Sequence, residues 1–383
     1  MSWKENGYAI RSRPSGIIKA PPPEGGNYMA ERSLESAIAP HLDGAAPESC
    51  CDNPSGRRPA FDSYTARLSP GVGRVVVAYL GVQGAPDQRD RAYGAVRDLA
   101  HSMAGPAGGA THHELVEYTD ELGYVTVLTV GYWLDMTAFD AWFDSVGRAW
   151  NTTDSAGLGT FIEVVRPSVR RLETLYSSDR YLQGVGAAAE TVSGPVLEHG
   201  YWGGMRDRIP DARDDRLVPQ GHPGAEDLGG GRVRITPHQN ACLIRSGQDF
   251  SRTTADERLF YLERVEPQLR RGMEFLRDDG LAVGCYTNRY VTVLDGSGSR
   301  TEKTFAVSWW RDLADLEGWA RSHATHVKIF AAFNAHMLEF GQAAQLRLYH
   351  EVMVLPKGDQ FFEYRNCHER TGMLRSRLAG GRA

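Results

Sequence analysis

The feature that most limits how this chain can fold is a pattern written twice. Trp133, Asp135, Phe139 and Trp142 recur 177 positions later as Trp310, Asp312, Leu316 and Trp319, and Gly81-Val82-Gln83 is matched 165 positions later by Ser246-Gly247-Gln248. The apolar periodicity around each copy changes in the same order. In the first, residues 74–83 read as a buried strand, 87–103 as a helix, 114–118 and 124–133 as strands, and 137–149 as a helix with Phe139, Trp142 and Phe143 on one side. In the second, 241–248 read as a strand, 254–277 as a long helix, 283–294 and 304–310 as paired strands, and Asp312 opens another helical segment. Strand, helix, strand, strand, helix is the order of a ferredoxin-like unit, whose single sheet leaves one face bare. Two such sheets packed face to face bury both. The predicted fold class is therefore α+β: tandem ferredoxin-like repeats forming a dimeric α+β barrel within one chain.

The expected division is a disordered or draped extension over 1–31, a wrapping segment over 32–71, the two halves over 72–200 and 201–356, and a tail over 357–383. The extension is rich in Gly, Pro and Ser and lacks periodicity. The wrapping segment has one short helical patch at Leu34, Ile38 and Leu42.

Composition closes off several functions. Net charge is -5 and no basic run stands out, which argues against nucleic acid. No apolar stretch reaches the roughly eighteen residues that would cross a membrane. The first thirty residues lack the continuous apolar core of a secretory signal, so a cytoplasmic protein is expected. Five cysteines (Cys50, Cys51, Cys242, Cys285, Cys367) lack metal-site spacing and read as reduced thiols, Cys242 and Cys285 in the core. Gly229-Gly230-Gly231 precedes a strand and reads as a turn, not a phosphate cradle. Asp256-Glu257-Arg258 reads as a solvated helix face.

The two halves differ in their polar residues, and that difference predicts one site, in the C-terminal half. Ser246 stands where the first half has Gly81, and the helical segment after Asp312 carries His323 and His326 where the first has only aromatics. At helical spacing Trp319, His323, His326, Phe330, Phe333, Met337 and Phe340 share one face, which is expected to point inward. Residues 346–354 alternate as a strand and put His350 beside Leu346, Leu348, Val352 and Val354. By spacing alone His326 is either a core histidine with a backbone partner or a metal ligand in an apolar pocket. A zinc His-x-x-His site is the rival, without an adjacent Glu or third ligand to support it.

Several runs carry a resemblance. They are Ser322-His323-Ala324-Thr325-His326-Val327-Lys328-Ile329-Phe330, the strand from Leu346 to Val352, and Leu243-Ile244-Arg245-Ser246-Gly247-Gln248-Asp249. Glu198-His199-Gly200-Tyr201-Trp202-Gly203-Gly204-Met205-Arg206-Asp207-Arg208 and Leu172-Glu173-Thr174-Leu175-Tyr176 complete the set. From about Ser33 to Leu374 the chain resembles the haem-containing aldoxime dehydratases.

The resemblance implies a non-covalent haem b, ferrous in the active form, with His326 as axial ligand. His350 would be the distal acid and then base, and Ser246 would orient the oxime hydroxyl. Glu173 and Arg208 would complete the distal polar set, the carboxylate favouring the protonated form of His350 before substrate arrives. Arg208 is separated from Arg206 only by the family pattern. Many relatives have Pro after the residue matching His323, where this chain has Ala324, so one helix or two remain open over 312–341. The implied substrate is an aldoxime (R-CH=N-OH), alkyl or aryl, bound through nitrogen, and the implied assembly is a homodimer. Rivals are a haem peroxidase or chlorite-decomposing enzyme of the same fold group, and a haem-binding module without catalysis.

Overall fold

The computed structural model describes residues 33–43, 58–105, 109–152 and 157–381. The expected extension over 1–31 lies outside the described residues. The described residues from Leu34 onward form one unit, built on a large antiparallel sheet in a mixed α/β fold.

The run Val-Val-Ala-Tyr-Leu has no polar position to turn outward, and it forms β1 (Val76–Gly84), buried along its whole length. Helix α1 (Arg89–Met103), β2 (His112–Thr119), β3 (Val125–Trp133), α2 (Met136–Trp142), β4 (Gly159–Val165) and β5 (Leu172–Tyr176) follow. A short helix α3 (Gly204–Asp207) leads to a hairpin of β6 (Gly224–Gly229) and β7 (Arg232–Thr236), whose turn holds Gly229, Gly230 and Gly231 at positive φ. Then come β8 (Ala241–Asp249), α4 (Ala255–Phe260) running through a π-turn into α5 (Glu266–Asp278), β9 (Cys285–Leu294) and β10 (Arg300–Trp310). Helices α6 (Leu313–Ser322) and α7 (Ala324–Phe340), then β11 (Arg347–Leu355) and β12 (Gln360–Arg365), complete the set. The sheet order is β5-β11-β8-β10-β9-β2-β3-β1-β4-β12-β7-β6.

Alternation sorts each strand between two environments. Val77 and Tyr79 of β1 share an inner core with Leu243, Val307, Trp309 and Met353. Val76, Ala78 and Leu80 pack under Leu99, Phe139 and Trp142, as Cys242, Val352 and Val354 pack under Leu269, Leu316 and Trp319. The inner faces of the two sheet halves therefore meet, and helices cover the outer ones. Buried ion pairs cross the junction. Arg245, fully buried, bonds Glu114 and the Tyr132 hydroxyl, and Arg289 holds Glu163 with two nitrogens at 2.7 and 2.5 Å. Removing one partner of such a pair strands the other charge away from water.

The structure decides one open reading and corrects several expectations. The segment after Asp312 is two helices, broken at His323, whose extended backbone (φ -74, ψ 134) is the conformation that a following proline would impose. Ala324 occupies the first helical position, where proline is favoured in general, so the break does not need it. The single inward face therefore fails: Phe330 is 47% exposed, and the buried residue of α7 is His336. Glu257, assigned to a solvated face, is fully buried.

Trp133 pairs with Val76 as Trp310 pairs with Cys242, which shifts the match between the halves by one residue. Gly247, not Ser246, corresponds to Gly81. Each of these glycines lies under an aromatic ring, Tyr349 or Phe161, that any Cβ would strike. The helical patch at Leu34 is instead a bridge at Glu35 to Val196 and a short turn over Pro40–Leu42.

Candidate functional site

The last stretch of the first half crosses over. Strand β5 pairs with β11 at the sheet's end, Glu173 lying opposite Val352. The expectation of a polar set confined to the second half is thus corrected, because β5 delivers a carboxylate from residues 172–176. Ser246 on β8 lies directly opposite His350 on β11, and cross-strand partners on one face sit about 5 Å apart at Cβ. Both side chains project on the helix-covered side, the side of Cys242, Val352 and Val354. Most residues on that face near them, including Ile244, Leu348 and Tyr290, are half-buried, whereas Arg245, Gly247, Tyr349 and Glu351 on the other side are buried.

Glu173, Arg208 and His350 form one hydrogen-bonded cluster. Arg208 Nε lies 2.7 Å from Glu173 Oε2 and its Nη2 lies 3.2 Å from Oε1, a two-pronged grip. Its Nη1 donates to the Glu198 carbonyl at 2.6 Å. His350 Nε2 lies 3.0 Å from Glu173 Oε1 and 2.9 Å from Arg208 Nη2. A protonated Nε2 donates to the carboxylate and an unprotonated one accepts from the guanidinium, so either state has a partner in place. Among the described residues, Nδ1 of His350 has no hydrogen-bond partner, nor does the Ser246 hydroxyl. Burial opposes ionisation of Glu173, but Arg208 and then His350 outweigh it and hold the carboxyl below its usual range. Arg206, the competing arginine, turns the other way and pairs with Glu317 at 2.8 Å.

His326 lies in the first turn of α7, largely enclosed, with Trp319 at 4.8 Å and Trp202 at 6.5 Å between ring centroids. Burial pushes its imidazole down to about 4, against a smaller opposing effect of the Ala320 backbone. The ring is therefore neutral at ordinary pH, and no carboxylate claims it. One loop ties the two histidines to the same region: Trp202 meets His326 and Phe330, while Glu198 accepts from Arg208.

His323 is otherwise engaged. It caps α7 through Nδ1, which lies 2.8 Å from Thr325 Oγ1, and stacks on Phe275 at 4.2 Å. Among the described residues no group of three or more His, Cys, Asp or Glu side chains could hold a metal ion. A lone neutral imidazole between aromatic rings would suit an iron whose remaining nitrogen ligands come with a porphyrin, and does not suit zinc, which needs three or four protein ligands. His326 fits haem in this sense.

Two residues that the sequence reading missed stand out. His336 and Glu257 pair at 3.0 Å, both about 1% exposed at the side chain. Glu257 was hidden by the Thr254-x-x-Glu257 spacing, which normally marks an exposed helix start. His336, in the fourth turn of α7, could be placed only once the break at His323 was known.

Comparison with known proteins gives the class. A family model described as haem-containing dehydratase matches residues 78–373, and this chain belongs to that family. Within it, the chain is similar to the aliphatic aldoxime dehydratases of Rhodococcus erythropolis and Pseudomonas chlororaphis, each 42% identical over 354 residues, 89% of this chain and 98% of theirs. The phenylacetaldoxime dehydratase of a Bacillus species is 29% identical over 332 residues, 84% of this chain and 93% of its own. A crystal structure of an aldoxime dehydratase in complex with butyraldoxime superposes with a TM-score of 0.84 at 40% identity, covering 89% of this chain and 96% of that one. No helix among the described residues is long and apolar enough to cross a membrane.

Proposed function

We propose that this chain is a haem-dependent lyase that dehydrates aldoximes to nitriles and water, and that His326 is the residue that would hold a non-covalent haem b. The observation that carries the reading is the Glu173–Arg208–His350 cluster with Ser246 opposite His350 on one sheet face. A ferrous haem held by His326 would supply the electron density that weakens the N–O bond of the oxime. The remaining work is proton transfer, which the chain's own side chains perform.

Protonated His350 gives a proton from Nδ1 to the oxime oxygen, which leaves as water when the N–O bond breaks. The same nitrogen then takes the proton from the aldehydic C–H, whose electron pair completes the C≡N bond, and the histidine returns to its starting state. Glu173 holds Nε2 and so fixes which nitrogen faces substrate, and Arg208 keeps Glu173 ionised. Ser246, whose hydroxyl has no partner among the described residues, orients the oxime hydroxyl. Higher identity to the aliphatic enzymes than to the phenylacetaldoxime enzyme supports alkyl aldoximes as the first substrates to try.

The same reading covers the architecture. Each half presents its four strands in the order fourth, first, third, second (β11-β8-β10-β9 and β4-β1-β3-β2), which supports two ferredoxin-like repeats joined as a dimeric α+β barrel. Residues 72–200 and 201–356 would be the halves, each bordered by a strand from outside it. Cytoplasmic location and a homodimer belong to this reading as well.

The test is nitrile formation from an alkyl aldoxime by reduced, haem-loaded protein without oxygen. A peroxidase or chlorite-decomposing enzyme would instead turn over peroxide or chlorite, and a haem-binding module would turn over none of the three.

A further inference from the structure

We infer that Glu257 and His336 are positioning residues for this reaction, fixing the helix that carries His326 relative to the strand that carries His350. The inference rests on the function proposed above.

Glu257 sits in the first turn of α4, where Thr254 caps the helix by accepting from the Glu257 amide at 3.3 Å. In that position a glutamate normally reaches back to the cap. Here the carboxylate turns inward, is fully buried, and collects donors from two other elements. His336 Nε2 of α7 lies 3.0 Å from Oε1. The Gln345 amide lies 2.8 and 2.9 Å from the two oxygens, and the Leu346 amide 2.9 Å from Oε1. Phe260 and Phe340 pack on the His336 ring at 6.0 and 5.1 Å, so the ring is held on its apolar sides as well.

The consequence follows from the chain path. His326 is ten residues before His336 on one helix, roughly 15 Å along its axis. His350 is four residues beyond Leu346 on one strand, roughly 13 Å along it. The turn between helix and strand, over 341–346, contains only a short 3-10 turn (Gly341–Ala343). Glu257 joins His336 of α7, five residues before that turn, to the Gln345 and Leu346 amides at the turn's far end through a single buried carboxylate, so its four contacts set how far β11 stands from α7. Proton transfer is sensitive to that spacing, since misplacement by about 1 Å can cost on the order of a hundredfold in rate. Neither residue touches substrate or the haem ligand; both act through the elements they hold.

The experiment compares wild type, Glu257→Gln, His336→Phe and His336→Gln as haem-loaded full-length proteins. Amide hydrogen exchange at Gln345 and Leu346, haem content, anaerobic kcat and KM with an alkyl aldoxime, and the C–O stretching band of added carbon monoxide are measured on each. Glu257→Gln and His336→Phe should exchange faster at those amides and keep haem. Their kcat should fall by about tenfold or more with KM changed less than about twofold, and the C–O band should broaden or split. His336→Gln, which restores a donor to the carboxylate, should recover kcat to within about threefold. Faster exchange and a lower Tm with unchanged kcat per haem and an unchanged C–O band would make the pair a purely structural latch and overturn the inference. Should Glu257→Gln or His336→Phe not fold, His336→Ala takes its place beside His336→Gln: a fall in kcat in His336→Ala that His336→Gln recovers supports the role of the donor, and a wild-type kcat and band in both reject it. If the wild type forms no nitrile, the proposed function fails, while the C–O band still reports whether the pair sets the site's geometry.

Discussion

Replacing Glu173 with Gln should damage stability and turnover together, and their sizes follow from the contacts. The carboxylate lies at 2.7 and 3.2 Å from two nitrogens of Arg208 and 3.0 Å from His350 Nε2, and its side chain is 0% exposed. Glutamine keeps one acceptor and turns an N–H pair toward a donor, leaving the Arg208 charge without its counter-ion. Breaking a buried pair in this way costs about 3–5 kcal/mol. Arg208 retains the Glu198 carbonyl, so the lower end, about 3 kcal/mol, is expected. With Nε2 no longer held, the proton on His350 is free to sit on either nitrogen, and kcat should fall on the order of a hundredfold, the range of a general acid–base contribution.

The pH dependence separates this account from a general packing defect. Glu173 has a folded pKa below its unfolded value. Its contribution is therefore present above the unfolded value, near 4.5, and is lost as pH falls through the lower folded value. Urea unfolding of both proteins from pH 7 to 3 should show the stability gap shrinking below about pH 4.5. A gap that stays constant across that range, or a Gln variant with wild-type kcat, would refute the reasoning.

Other consequences can be measured separately. Because burial lowers His326 to about 4, haem affinity should stay nearly flat from pH 8 to 5.5 by Soret titration, and His326→Ala should lose haem. Ser246→Ala removes a hydroxyl with no partner among the described residues, so Tm should hold within about 1 °C while kcat/KM falls about tenfold, one hydrogen bond's worth. Gly247→Ala would place a methyl 2.1 Å from the Tyr349 ring; urea unfolding should show a loss of about 1–3 kcal/mol from overpacking.

Much of the site was readable because its residues obey simple periods. Alternation placed His350 on the apolar side of its strand, and Ser246 meets it there in register. What periodicity could not convey was long-range pairing. Nothing in residues 172–176 says that β5 leaves its own half to border β11, so the delivery of Glu173 to His350 appears only in the sheet order. The two-residue alternation also makes a one-residue slip reverse the faces, which is why matching Ser246 to Gly81 misled until the Trp133 and Trp310 pairings set the register. Whether the segment breaks at His323 stayed open because Ala324 carries no helix-stopping signal. Glu257 was misplaced for a related reason: a charged residue in a first helical turn is usually solvated, and only tertiary contacts turn it inward.

The most direct test of the central claim is His350→Ala, reduced and without oxygen, at matched haem content. The account predicts full haem binding, an unaltered Soret band for the His326-ligated iron, and nitrile formation reduced by at least about a hundredfold. Turnover equal to wild type would show that the proton leaves and returns by another route, and loss of haem would show that His350, not His326, holds it.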